Sequence, residues 1–110
     1  MRFSQKGKMD VLEVLNEITI KNVETFREHM QQIVEGPSYQ FILNVETVIY
    51  LNSSALGIIA DTAMKAKKLN KEFVLAGVKP PLDEVFEIVR FGDFIKLFPT
   101  LTDAIDYFSA

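Results

Sequence analysis

Short apolar runs alternate along the chain with segments in which apolar residues recur every three or four positions. Such runs are typical of buried β-strands, and the longer spacing is typical of helices that bury one face. The strand runs are residues 9–15, 40–45, 73–76 and, as a short edge strand, 95–98. Phe3 is assigned to an earlier strand, which the turn Lys6-Gly7-Lys8 joins to the first run, and residues 16–19 are predicted to form a loop.

Helices are predicted between and after these strands. Their starts are marked by residues that favour a helix N-terminus, namely Asn22, Asn52-Ser53-Ser54, Pro80-Pro81 and Thr100. Gly36-Pro37 is predicted to end the first helix and Gly92 the third. The helical side chains predicted to face the core are Val23, Phe26, Met30, Ile33, Val34, Leu56, Ile59, Ala63, Ala66, Leu82, Val85, Phe86, Val89, Leu101, Ala104, Ile105 and Phe108.

The order of elements predicts an α/β fold. Strands that alternate with helices form parallel pairs with right-handed crossovers, whereas the first two strands form a hairpin. We therefore expect a central, mostly parallel, mixed sheet of four to five strands with about four helices. Folding would bury about two-thirds of the unfolded surface, which is enough for one core and too little for two, so residues 1–110 are predicted to be a single domain.

Composition narrows the function classes. The 12 Lys and Arg residues against 15 Asp and Glu residues give a formal net charge of −3, and there is no cysteine. A mildly acidic chain lacks the basic field that non-specific nucleic-acid binding needs. The longest apolar stretch, residues 55–60, is too short for membrane insertion. No targeting segment is visible, so we expect a cytoplasmic protein.

Residue types that commonly carry catalysis are sparse. The five glycines are scattered and form no phosphate-binding loop. The single histidine, His29, falls on the polar side of the first predicted helix and is expected to face water. No group of Asp, Glu and His residues has metal-ligand spacing, so neither a metal nor another cofactor is expected.

One segment carries more polar residues than a helix start needs. Asn52, Ser53 and Ser54 stand between an apolar strand exit and an apolar helix entry. A single capping residue, which stabilises a helix by about 1 kcal/mol, would be enough to start the helix. A hydroxyl exposed there could carry a phosphate, because free N–H groups and the helix dipole favour negative charge. Gly57 inside the helix costs about 1 kcal/mol relative to alanine, which suggests close packing on the sheet or room for a partner's side chain.

In this order of elements, the sequence resembles the STAS domains of bacterial anti-sigma-factor antagonists. The resemblance covers nearly the whole chain, including Asn16-Glu17-Ile18-Thr19 and Phe41-Ile42-Leu43-Asn44-Val45. Its centre is Asn52-Ser53-Ser54-Ala55-Leu56-Gly57, where the family pattern reads Asp-Ser-(Ser/Thr/Ala)-Gly-Leu-Gly. The resemblance implies a STAS-like fold and a docking module that performs no catalysis.

The resemblance also implies a switch. Ser53 aligns with the serine that an anti-sigma factor, an ATP-dependent protein kinase, phosphorylates. The unphosphorylated antagonist would bind the anti-sigma factor and free a sigma factor; phosphorylation would release it, and a phosphatase would reset it. A monomer or weak homodimer is expected, and Leu56 and Ile59 are assigned to the core. The partner-binding patch is predicted to comprise Thr19, Asn52, Ser53, Ser54, Gly57 and Asp61.

Three residues depart from the family pattern. Asn52 replaces the usual acid before the serine, Thr19 stands where many relatives have an acid, and Ala55 replaces a common glycine. The two lost acids suggest a divergent partner or altered phosphorylation. They support a second hypothesis, a non-switching STAS scaffold or a regulatory subunit of a sensory or lipid-transport complex. An enzyme with Ser53 as nucleophile, which would need an adjacent base, and a small-ligand sensor are the remaining alternatives.

Overall fold

The computed structural model describes residues 1–109. Its strands are β1 (Arg2–Lys6), β2 (Met9–Glu13), β3 (Glu17–Ile18), β4 (Gln40–Asn44), β5 (Tyr50–Leu51), β6 (Glu72–Ala76) and β7 (Lys96–Phe98). Its helices are α1 (Val23–Glu35), α2 (Ser53–Lys68), α3 (Leu82–Ile88) and α4 (Leu101–Ser109), with a 3₁₀ turn at Phe91–Asp93. All strands and helices predicted from the sequence are present, and most of their bounds lie within two residues of the prediction.

Five of the strands form one mixed sheet in the order β1-β2-β4-β6-β7. The first pair is an antiparallel hairpin, and the other three pairs are parallel. Each parallel strand is added beside the preceding one because a helix-containing crossover returns the chain to the same end of the sheet. Together with the four helices of residues 1–109, this sheet confirms the predicted α/β fold.

The central strands are buried on both faces, which explains their continuous apolar runs. On one face, Leu43 and Leu75 belong to the core that α1, α2 and α3 cover. The side chains that alternate with them point to the other face, where Ile42 and Val74 pack against Ala104 of α4. The three crossover helices therefore share one side of the sheet, and the N-terminus of α2 lies at the edge where the parallel strands end.

The predicted loop at residues 16–19 is wrong in part, because Glu17–Ile18 forms the strand β3. It pairs in parallel with β5, so that Ile18 lies beside Leu51 and both side chains are buried. A two-residue strand is too short to produce a periodic pattern in the sequence. Its formation depends on the tertiary contact with β5, whose paired residues are 33 positions further along the chain.

The buried face of α2 is rotated from the predicted one. Ile59 and Ala66 are buried as predicted, whereas Leu56 and Ala63 are half-buried at the margin of the core. The remaining buried positions are Ala55, Ile58 and Thr62. The rotation is possible because Thr62, a polar residue, satisfies its hydroxyl by donating to the carbonyl oxygen of Ile58 at 2.7 Å.

The third helix ends earlier than predicted. α3 stops at Ile88, Val89 is exposed, and Gly92 lies within the 3₁₀ turn rather than at the helix end. Arg90, at φ 61°, takes the left-handed conformation that usually favours glycine. This change of direction places the ring of Phe91 in the core, stacked on Phe86 with 5.4 Å between ring centroids.

Candidate functional site

The N-terminus of α2 is capped by Asn52 alone. Its Oδ1 accepts from the backbone N–H of Ala55 at 2.8 Å, and its carbonyl oxygen accepts from Leu56 at 3.2 Å. Ser53 and Ser54, the first two residues of the helix, are both exposed. Because one side chain does the capping, neither serine hydroxyl is needed to stabilise the start of α2.

The backbone at this helix end can receive negative charge. In a helix the first N–H groups have no acceptor within the helix, and here this holds for those of Ser53 and Ser54. The first turn of α2 carries no acidic side chain, so the positive end of the helix dipole is not offset by a neighbouring carboxylate of that turn. An anion on the Ser53 oxygen would therefore meet a favourable local field.

Thr19 lies next to this helix end because of the small β3–β5 sheet. The N–H of Asn52 donates to the carbonyl oxygen of Ile18 at 3.1 Å, which extends the pairing by one residue. Thr19 follows Ile18 directly and is half-buried, with its Oγ1 accepting from the N–H of Lys21 at 3.2 Å. The structure thus brings Thr19 and Asn52 together from positions 33 residues apart.

Asn22 is the N-cap residue of α1, as predicted, but its side chain makes no capping hydrogen bond. Its Oδ1 accepts from the N–H of Thr19 at 2.8 Å, and its Nδ2 donates to the carbonyl oxygen of Glu17 at 3.0 Å. The turn before α1 begins at the carbonyl oxygen of Thr19, which accepts from the N–H of Val23 at 3.0 Å. Asn22 therefore fixes the loop that carries Thr19.

Ser53, Gly57 and Asp61 form an exposed stripe on α2, since residues four apart lie on the same side of a helix. A Cβ added at Gly57 would meet no atom within 4 Å apart from the local backbone of α2 itself. Close packing on the sheet, one of the two expected reasons for this glycine, is therefore wrong. Space for a partner's side chain stays a prediction.

Asp61 is the most distant member of the predicted patch. It lies about 12 Å along the helix axis from Ser53. It borders a groove of about 260 Å³ between α1 and α2, which Arg27, Met30 and Lys65 also line. The structure therefore brings Thr19, Asn52, Ser53 and Ser54 together at one end of α2, whereas Asp61 lies two turns away.

Catalytic and metal-binding arrangements are not evident in the described part of the chain. His29 is half-buried on α1 rather than fully exposed. Among residues 1–109 there is no group of three or more His, Asp or Glu side chains that could hold a metal ion. Over the same residues, no helix has both the length and the apolar character needed to cross a membrane.

Sequence reasoning missed three exposed apolar residues beside this site. Ile20 is 88% exposed, Ile49 is 69% exposed and Tyr50 is 51% exposed. Ile20 follows Thr19, and the other two residues precede the capped end of α2 through β5. An apolar residue in a loop gives no sign in the sequence of whether it is buried, so only its adjacency to the polar segment could have suggested a role.

A family model for the STAS domain matches residues 3–104. This match includes the whole sheet from Phe3 onward, the helix α2 with its capped end, and the start of α4. The fold and the extent of the match together define the class of protein. The chain belongs to the STAS domain family.

Solved structures share this fold at low sequence identity. The anti-sigma factor antagonist SpoIIAA in its unphosphorylated form is 20% identical with a TM-score of 0.81, over 98% of this chain and 95% of that chain. An anti-sigma factor antagonist from Mycobacterium paratuberculosis is 20% identical with a TM-score of 0.82, over 96% and 90%. Bacillus SpoIIAA in its phosphorylated form is 19% identical with a TM-score of 0.76, over 96% of each chain.

Proposed function

We propose that this protein is an anti-sigma-factor antagonist whose docking surface is switched by phosphorylation of Ser53. The unphosphorylated form binds an anti-sigma factor, a serine protein kinase, through the end of α2 and so frees a sigma factor. Phosphorylation by that kinase releases the antagonist, and a phosphatase restores it. The protein acts as a binding module in the bacterial cytoplasm, as a monomer or weak homodimer, without contacting nucleic acid.

The observation that supports this proposal most strongly is the position of Ser53. It is exposed at the first position of α2, in a chain of the STAS family. SpoIIAA, which has the same fold, is known in unphosphorylated and phosphorylated forms. A kinase can reach an exposed serine that makes no contribution to capping, and the fold need not open for the reaction.

Phosphorylation would leave α2 folded. Asn52 holds the helix end through its bond to Ala55, which does not involve Ser53. The free N–H groups of the first turn and the helix dipole would stabilise the phosphate. The modified protein therefore keeps the same fold, and the switch acts on the surface.

The added charge is large enough to break a complex. A phosphate brings about −1.5 to −2 charges at neutral pH. Each charge placed 4 Å from an acidic partner group costs up to ~4 kcal/mol at an effective dielectric constant of 20. After screening, a loss of ~2–3 kcal/mol would weaken binding by roughly 30- to 150-fold.

The assignment of the phosphorylated residue is tested with a matched pair of variants. Each anti-sigma-factor kinase of the source organism is incubated with ATP and with the wild type, Ser53→Ala or Ser54→Ala, and the phosphate is mapped by mass spectrometry. We expect phosphate on Ser53 in the wild type and in Ser54→Ala, and none in Ser53→Ala. Phosphate confined to other residues would remove Ser53 from the mechanism.

A non-switching scaffold is the second candidate. The specific observation that favours it is the absence of an acid at both Thr19 and Asn52, where the antagonist pattern has one. In that case the protein would form a stable complex with sensory or transporter subunits. Its affinity for them would be the same for the wild type and Ser53→Asp, whereas a switched antagonist loses affinity for the kinase when Ser53 becomes charged.

A further inference from the structure

The side-chain amide of Asn22 closes the outer edge of β3, which is the edge that faces away from β5. Its Oδ1 accepts from the N–H of Thr19 at 2.8 Å, and its Nδ2 donates to the carbonyl oxygen of Glu17 at 3.0 Å. These two backbone groups flank Ile18 and point away from β5, because successive peptide groups of a strand alternate in direction. The amide therefore pairs with β3 as the backbone of a neighbouring strand would.

The inner edge of β3 is bonded to the segment that leads into α2. The N–H of Ile49 donates to the carbonyl oxygen of Asn16 at 2.8 Å, and the N–H of Asn52 donates to that of Ile18 at 3.1 Å. Asn52 in turn caps α2 with its own side chain. The strand is thus held from two sides, by the amide of Asn22 on the outer edge and by the entry to α2 on the inner edge.

The bonds of this amide can be removed without removing the start of α1. The carbonyl oxygen of Thr19 accepts from the backbone N–H groups of Asn22 and Val23 at 3.2 and 3.0 Å, which forms the turn into the helix. Those bonds involve backbone atoms alone, so they remain when the side chain of Asn22 is replaced. The strand β3 has only two residues, and so short a strand is not stable on its own. A substitution at this position therefore releases the outer edge of β3 selectively.

We propose that Asn22 is a positioning residue of the docking surface: its amide holds β3 so that Thr19 lies beside Asn52 in the arrangement that the anti-sigma factor recognises. This inference rests on the proposed function and adds a residue that acts on the site without contacting the partner. Among the side chains preferred at an N-cap, only asparagine carries an acceptor and a donor on separate atoms, spaced as in a peptide group. The pairing with β3 requires both atoms, whereas the helix start does not require this side chain.

Two variants, Asn22→Asp and Asn22→Ser, remove the pairing and keep a residue that is favoured at an N-cap. Aspartate retains the acceptor for Thr19 but sets a second oxygen against the carbonyl oxygen of Glu17, and serine offers a single oxygen on a shorter side chain. Ser38→Ala is the matched control. It also removes a side-chain hydrogen bond, the one that Ser38 donates to Asp10 at 2.9 Å, but it lies before β4, at the opposite end of the sheet from the start of α2.

The test combines amide hydrogen exchange at Thr19 with the kinetics of phosphorylation by the anti-sigma-factor kinase. In both Asn22 variants we expect the Thr19 N–H to exchange about tenfold faster or more, because it loses its acceptor. We expect KM for the antagonist to rise by about tenfold, with kcat changed by less than about threefold and the midpoint of urea unfolding close to that of the wild type. Ser38→Ala should leave both the exchange rate and KM unchanged.

Three outcomes would overturn the inference while leaving the proposed function intact. In the first, exchange at Thr19 is the same in the Asn22 variants as in the wild type, so the amide does not hold β3. In the second, exchange is faster but KM is unchanged, so the position of this strand does not affect docking. In the third, Ser38→Ala raises KM as much as the Asn22 variants do, which would show an effect of stability alone. If no kinase phosphorylates the wild type, the proposed function itself fails, and the docking role of Asn22 fails with it.

Discussion

Gly57 and Gly77 differ in what surrounds them, although both lack a side chain. An added Cβ at Gly57 meets nothing within 4 Å, and the residue lies in the middle of an exposed helix face. At Gly77, φ is +79° and an added Cβ would come within 2.5 Å of the Cα of Glu46. The first glycine is therefore dispensable for folding, whereas the second is required by its backbone conformation and by close contact.

This difference predicts that replacing glycine by alanine has opposite effects on stability at the two positions. Gly57→Ala should stabilise the protein by up to about 1 kcal/mol, because alanine favours the helix. Gly77→Ala should destabilise it by about 1–3 kcal/mol, because strain and the contact with Glu46 combine. Urea unfolding followed by circular dichroism measures both. A loss of stability in Gly57→Ala would mean that α2 has a packing contact at this position.

Single residues also show what the sequence can and cannot reveal about the site. Asn52 follows an apolar strand and precedes an apolar helix, so its capping role could be predicted from local preference alone. Asn22 has an equally favourable position, yet its side chain binds Thr19 and Glu17 instead. The exposure of Ile20 could not be predicted from the sequence, because the exposure of an apolar loop residue depends on contacts that are distant in the sequence.

At the scale of elements, prediction succeeded where a segment was long enough to show its period. The helix α1 buries Val23, Phe26, Met30, Ile33 and Val34, which is the predicted face. The strands β3 and β5 have two residues each and stabilise one another only in the folded chain. The end of α3 could not be predicted from the sequence either. The left-handed conformation of Arg90 accompanies the burial of Phe91, and no local sequence pattern indicates it.

The contact between α4 and β6 has a pH dependence. The hydroxyl of Tyr107 donates to the carboxylate of Glu72; this hydrogen bond, with smaller contributions from burial and from the charge of Glu72, raises the pKa of Tyr107 above its ordinary 10.0. The folded state thus holds the tyrosine proton more tightly than the unfolded state does. The stability from this group is complete below pH 10.0 and is lost as the pH rises through the raised pKa.

Tyr107→Phe should therefore be less stable than the wild type at neutral pH and should lose less stability above pH 10.0. The difference in unfolding free energy between the two proteins would narrow as the pH increases. Urea titrations at a series of pH values measure this difference. Two curves that stay parallel up to strongly alkaline pH would show that the hydrogen bond to Glu72 does not shift the tyrosine pKa.

At the scale of the whole molecule, the order of the strands determines what lies at the carboxyl ends of the parallel strands. From β2 to β7 the strand order runs in one direction without a reversal. A reversal of strand order is what opens a ligand crevice at the carboxyl ends of the strands in many α/β proteins. In this fold the same edge is filled by β3, β5 and the start of α2. These elements present side chains outward, as the proposed docking surface requires.

The most direct measurement compares the affinity of one anti-sigma-factor kinase for two forms of the protein, unmodified and carrying phosphoserine at position 53. We expect the phosphorylated form to bind roughly 30- to 150-fold more weakly, with an unchanged circular dichroism spectrum, because α2 stays capped by Asn52. Equal affinity of the two forms would contradict the switch. Weaker binding accompanied by loss of helical signal would contradict the claim that the surface alone responds.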